Sequence, residues 1–137
     1  MRYSWTKAAS AAPDQTILWQ VRTRNLELGN HGHIMAIVNV TPDSFSDGGR
    51  FVDSAQAIDF ALSSVKKGAS ILDIGGESTR PGADEVSAAQ EQDRVLPVIE
   101  RLSRETEALI SIDTYRAETA RLAVAAGAHI INDVHGL

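Results

Sequence analysis

Four short apolar runs each lead into a carboxylate or an amide: IMAIV into Asn39, SIL into Asp73, LISI into Asp113, and HII into Asn132, with Asp133 after it. These side chains combine hydrogen-bond acceptors with, for the amides, donors as well. Placed at strand ends they can either read a polar ligand or be satisfied by neighbouring backbone. A long polar stretch, NVTPDSFSDGGRF over 39–51, follows the first run. Thr41-Pro42-Asp43 is turn chemistry, and Gly48-Gly49 permits positive φ. Phe45 is the large aromatic in its middle, and it fits equally a plug under the loop or an apolar wall for a ligand.

The elements that must carry these residues recur in a regular beat. Ile17 to Val21 and the segment around Leu26 and Leu28 predict two short strands, and Gly29-Asn30-His31-Gly32 is a turn. Ile34–Val38 is continuously apolar, as expected of a strand buried on both faces of a parallel sheet. Asp53 is a candidate cap for a helix with Ile58, Leu62 and Val65 inward, ending at Lys66, Lys67 and Gly68. Ser70–Ile74 is the next strand. Ser87 and Gln90 form a capping-box pattern before a helix carrying Val95, Ile99 and Leu102, which Pro97 should kink or divide. A strand over Leu109–Ile112, a helix over Arg116–Ala126 stopped by Gly127, and a strand over His129–Ile131 complete the series.

Strands alternating with helices predict a parallel α/β sheet, either doubly wound or a (β/α)8 barrel. An open sheet gathers function at one switch point, whereas a barrel gathers it at the C-terminal ends of many strands. Polar residues ending all four runs favour the barrel. A barrel takes about 250 residues, so the 137 residues here are expected to be the first half of one, preceded by a β-hairpin. Residues 1–15 read as a flexible leader, and 16–137 as the half-barrel domain.

Composition narrows the function classes. The chain is 43% hydrophobic and 23% charged, with a net charge of −5. No Lys/Arg run exceeds a pair, which argues against a nucleic-acid surface. The absence of cysteine removes disulfides, thiolate metal sites and cysteine nucleophiles. His31, His33, His129 and His135 have no metal-site spacing. The glycine clusters lack the pattern of a phosphate-binding or dinucleotide-binding loop. The first residues have no signal-peptide core, and no apolar run approaches a membrane span, so the expected compartment is the cytoplasm.

Four motifs in order carry a family resemblance. IMAIVNVTPDSFSDGGRF (34–51) and ILDIGGESTRPGA (71–83) resemble the first two signatures of dihydropteroate synthase, and SIDT (111–114) and IINDV (130–134) resemble its third- and fourth-strand motifs. The resemblance implies a TIM barrel that joins 6-hydroxymethyl-7,8-dihydropterin diphosphate to p-aminobenzoate, releasing diphosphate in folate synthesis. Mg²⁺ is the implied cofactor, a homodimer is the common assembly, and sulfonamides mimic the p-aminobenzoate.

By the same resemblance Asn39 is the metal ligand, an amide oxygen suited to Mg²⁺. Asp113 and Asn132 bind the pterin, and Asp113 also favours the cationic transition state. Thr79 contacts the pterin diphosphate and Arg80 meets its phosphates with a bidentate fork. Phe45 and Pro81 wall the p-aminobenzoate slot. Ser46 and Asp47 order the first loop as it closes and excludes water. Asp73 is read as structural or electrostatic at the mouth, and Glu77 is set apart with it. The family's remaining Asp, Lys and Arg-x-His belong to its second half, so the 137 residues alone are expected to be inactive. Two other readings share parts of this pattern: a pterin-dependent methyltransferase barrel, and a non-catalytic half-barrel that binds or assembles.

Overall fold

The computed structural model describes residues 16–41, 49–77 and 85–136, with the side chains of 49–53 excepted. The leader over 1–15 and the loop residues Phe45, Ser46, Asp47, Thr79, Arg80 and Pro81 lie outside the described residues. The chain divides into two compact units, one ending at Gly32 and the other beginning at His33. In the first, strands β1 (Ile17–Val21) and β2 (Arg24–Leu28) form an antiparallel hairpin. Arg22 takes φ 53° at its two-residue turn, where a tight hairpin needs a left-handed backbone.

The second unit is a four-stranded parallel sheet with helices between its strands. Strand β3 (Ile34–Asn39) leads to helix α1 (Gly49–Lys66), β4 (Ala69–Gly75) to α2 (Ala88–Glu105), β5 (Leu109–Asp113) to α3 (Ala117–Ala126), and β6 (Ile130–Asn132) follows. The strands lie side by side in the order β3-β4-β5-β6, all parallel. This is the α/β half-barrel order that the strand–helix beat predicts.

One face of the sheet makes the core. Val38, Leu72, Ile74, Ile110 and Ile112 alternate along their strands and pack with Val95, Val98, Ile99 and Leu102 of α2. Helix α1 touches this core through Ala57 and Ala61, with Ile58, Leu62 and Val65 half-buried beside them. The small alanines let the helix axis come close, so the predicted large stripe flanks the contact rather than forming it. The other face explains why Ile34–Val38 is not buried on both sides. Ile37 is 65% exposed and Met35 43%, because α1 and α2 cover only the opposite face. A closed barrel packs the inner face with layers of side chains from all its strands.

Helix α1 begins at Gly49, so Asp53 lies inside its first turns and is not its cap. Helix α2 is one continuous helix through Pro97 rather than two. Pro97 sits on its exposed face, where a missing N–H and a local bend are tolerated. The capping box is complete: Gln90 N donates to Ser87 Oγ at 3.2 Å, and Ser87 N donates to Gln90 Oε1 at 3.0 Å. Ser87→Ala is therefore expected to cost about 1 kcal/mol, read as a lowered urea midpoint with an unchanged m-value. Gly68 and Gly127 end α1 and α3 with φ of 107° and 121°, as their positions predict.

Candidate active-site face

The strand register gathers the polar strand ends. Asn39 pairs in register with Gly75, Gly75 with Asp113, and Asp113 with Asn132. Residues in register point to the same face, so these four form one row across the C-terminal edge of the sheet. Ile37, Asp73, Ser111 and Ile130 form the next row inward, two residues earlier on each strand. Asp73 thus differs from its expected place. Strand β4 runs on to Gly75, so Asp73 lies one layer below the mouth and is 5% exposed.

Gly75 keeps the row open at its centre. A Cβ there would lie 3.7 Å from Asp113 Oδ2 and 3.9 Å from Asn39 Oδ1. Two oxygen acceptors therefore face one space that any other residue would occupy. The Asp113 carboxyl makes no hydrogen bond among the described residues. Burial pushes its carboxyl above the usual carboxylate range, and the charges of Asp73, Glu91 and Asp133 push the same way. Asn132 Nδ2 donates to Asp73 Oδ2 at 3.0 Å. That contact passes in front of β5, as a sheet curling toward this face allows. Among the described residues, Asp73 Oδ1 and Ser111 Oγ are buried without partners.

A second cluster pins the base of the β4–α2 connection. Arg116, just before α3, donates from Nη1 to Glu77 Oε2 at 2.5 Å and from Nη2 to the Val86 carbonyl at 2.6 Å. Val86 N in turn donates to Glu77 Oε1 at 3.3 Å. The two residues flanking this connection, 77 and 86, are thereby tied together. Arg116 also lies 3.3 Å from Glu91 Oε2, whose side chain is 1% exposed and accepts from Thr119 Oγ1 at 2.8 Å. The Arg116 hydrogen bond, above all, holds the Glu77 carboxyl below its ordinary range. Tyr115 donates to Glu77 at 3.2 Å, lies under the Arg116 guanidinium, and meets His135 edge-on. Next to Glu77, the Gly76 carbonyl accepts from Arg94 Nη1 at 2.8 Å.

The structure thus brings Asn39, Asp113 and Asn132 into one row. Thr79, Arg80 and Pro81 follow Glu77 after Ser78, and Phe45, Ser46 and Asp47 follow β3, all outside the described residues. Gly75, Arg116 and Glu91 have roles that the sequence reading missed. GG after a strand is a visible signal for close approach, but the Arg116–Glu77 pair spans 39 positions and has no local signature. The described residues contain no group of three or more His, Cys, Asp or Glu placed to hold a metal. The Asn39 amide oxygen facing the Gly75 space nonetheless suits a hard cation that keeps water and substrate oxygens as its other ligands. A separate cleft of about 430 Å³ lies beside α3 and β6, lined by Tyr115, Arg116, Ala117, Ile131 and Asp133 among others.

A half-barrel α/β sheet with an acceptor-rich row at its strand C-termini is, by class, the binding face of a barrel that takes a polar ligand. The chain belongs to the pterin-binding enzyme family, whose model matches residues 35–137. It is 56% identical over 101 residues to the dihydropteroate synthase of Streptococcus pyogenes serotype M1, covering 74% of this chain and 38% of that one. It is 50% identical over 123 residues to the dihydropteroate synthase of Bacillus subtilis, covering 90% of this chain and 43% of that one. The solved structure of Xanthomonas albilineans dihydropteroate synthase with 4-aminobenzoic acid superposes with a TM-score of 0.80 at 49% identity, over 88% of this chain and 44% of that one. The chain therefore spans less than half the length of these relatives. Among the described residues no helix is long and apolar enough to cross a membrane.

Proposed function

We propose that this chain supplies the pterin-diphosphate side of a dihydropteroate synthase site. The observation that carries the reading is the row itself: Asn39, Asp113 and Asn132 in register around the space at Gly75. In the proposed reaction the nitrogen of p-aminobenzoate bonds to the pterin methylene. The methylene–oxygen bond to diphosphate breaks, and the amine gives up a proton. Asp113 and Asn132 accept from the pterin ring, and the Asp113 carboxylate stabilises the positive charge that develops there. Asn39 Oδ1 is the protein ligand for Mg²⁺, which when bound neutralises the departing diphosphate. Thr79 and Arg80 contact the diphosphate, Phe45 and Pro81 wall the p-aminobenzoate slot, and Ser46 and Asp47 order the first loop over it, all as the motif resemblance implies. The cytoplasm is the proposed compartment and a second copy of the chain the proposed partner, on the same ground.

Gly75→Ala tests the reading without disturbing the fold. Its Cβ would make ordinary contacts at 3.7 and 3.9 Å, so the unfolding free energy is expected to stay within about 0.5 kcal/mol of wild type. The methyl would fill the space between the two oxygens, and overpacking typically costs about 1–3 kcal/mol. Affinity for 6-hydroxymethyl-7,8-dihydropterin diphosphate with Mg²⁺ should therefore fall roughly tenfold or more. Wild-type affinity in the alanine variant, measured by calorimetry, would contradict the proposed site.

A further inference from the structure

The side-chain amide of Asn132 has a single described partner, Asp73, reached from Nδ2 at 3.0 Å. A carboxylate accepts and does not donate, so the contact requires the NH₂ end of the amide to face inward. Oδ1 then faces away from Asp73. The two ends of an amide have nearly the same shape, and nothing but its hydrogen bonds decides which way it turns.

Asp73 is poorly explained as a stabilising residue. It is 5% exposed, it uses only Oδ2, and among the described residues its Oδ1 is buried without a partner, as is Ser111 Oγ on the neighbouring strand. Burying a carboxylate is unfavourable unless it is well paired. A buried acid with one donor does little for the fold, but it does fix what lies above it. With Asp113 beside Asn132 in the row, the result is two adjacent acceptors at the mouth.

We propose that Asp73 is a positioning residue that locks the Asn132 amide with its oxygen toward the site, and so selects a ring whose 2-position carries an amino donor. The inference rests on the pterin reading above and adds its specificity determinant. A 2-amino pyrimidine edge satisfies the fixed acceptor. A 2-oxo edge places acceptor against acceptor, and a site with a fixed polar group discriminates strongly against the partner that leaves it unpaired.

The test compares affinities for 6-hydroxymethylpterin and 6-hydroxymethyllumazine, its 2-oxo counterpart, by calorimetry. Wild type should prefer the pterin. Asp73→Leu frees the amide to rotate, and the preference ratio should fall roughly tenfold, equivalent to about 1.4 kcal/mol. Asp73→Asn can still accept from Asn132 through its amide oxygen, so its ratio should stay within about twofold of wild type. A loss of structure alone would lower both affinities together and leave the ratio intact. An unchanged ratio in the leucine variant overturns the inference and leaves the pterin reading standing. If wild type binds neither ring, the pterin reading itself fails and the inference with it. Should the leucine variant not fold, the wild type still decides. Its Asn132 NH₂ protons should exchange more slowly than those of Asn25, which is exposed like Asn132, before and after 6-hydroxymethylpterin is added. Exchange as fast as in Asn25 would overturn the proposal.

Discussion

Asp113→Asn is expected to make the protein more stable at neutral pH and worse at binding a pterin. Burial, first, and the nearby Asp73, Glu91 and Asp133 charges raise the Asp113 carboxyl above its ordinary range. The folded state therefore holds this proton more tightly than the unfolded chain does. Its contribution to stability is present at low pH and is lost as pH rises from the ordinary carboxylate value through the raised one. The amide variant escapes that loss, so its unfolding midpoint should exceed wild type at pH 7 and converge with it in acid. Binding runs the other way. A hydrogen bond to a charged group contributes about 1.5–3 kcal/mol, so pterin affinity should fall roughly 10- to 100-fold. Wild-type affinity should weaken as pH falls through the raised carboxyl value, while the variant stays flat. Chemical denaturation and calorimetry across pH read the two effects separately. A residue that costs stability where it is needed for a ligand is common at functional sites.

Arg116→Met carries the largest expected effect on folding. The Arg116 and Glu77 side chains are only 16% and 13% exposed, and Glu91 only 1%. Removing the guanidinium leaves the buried Glu91 and the partly buried Glu77 carboxylates without their cation and the Val86 carbonyl without its donor. Breaking a buried ion pair from one side typically costs about 3–5 kcal/mol. The pH dependence gives a second signature. The Arg116 hydrogen bond leads the effects that depress the Glu77 carboxyl. Its stabilisation is therefore present above the ordinary carboxylate value and lost as pH falls through the depressed one. In the methionine variant that acid-limb slope should become shallower, since Val86 N and Tyr115 still donate to Glu77. Arg116→Lys keeps the charge but not the planar fork, and it should fall between the two. Urea unfolding from pH 3 to 7 measures all three.

Much of the architecture was legible because each element satisfies its own local rules. The Ser87–Gln90 box, the glycines after α1 and α3, and the apolar runs of β4 and β5 report their structure directly. The α1 contact and the burial of β3 were not legible, because they depend on what lies across the sheet. Ile37 has the same side chain whether a helix covers it or not. At the site, Asn39, Asp113 and Asn132 could be read from position, since a strand's last residue is fixed by where its apolar run ends. Asp73 could not, because β4 continues two residues further through Ile74 and Gly75. Gly75 and Arg116 act through neighbours on other strands and helices. Their importance depends on register and on contacts across 39 positions, which no local pattern encodes.

The most direct test is an amide chemical-shift titration of the labelled chain with 6-hydroxymethyl-7,8-dihydropterin diphosphate and Mg²⁺. The row across the strand ends predicts that Asn39, Gly75, Asp113 and Asn132 shift together and saturate with one dissociation constant. Their shifts should require Mg²⁺ at Asn39 and Gly75 more than at Asn132. Shifts confined to the separate cleft of Tyr115, Ala117 and Ile131, or no saturable shift at the four row positions, would contradict it.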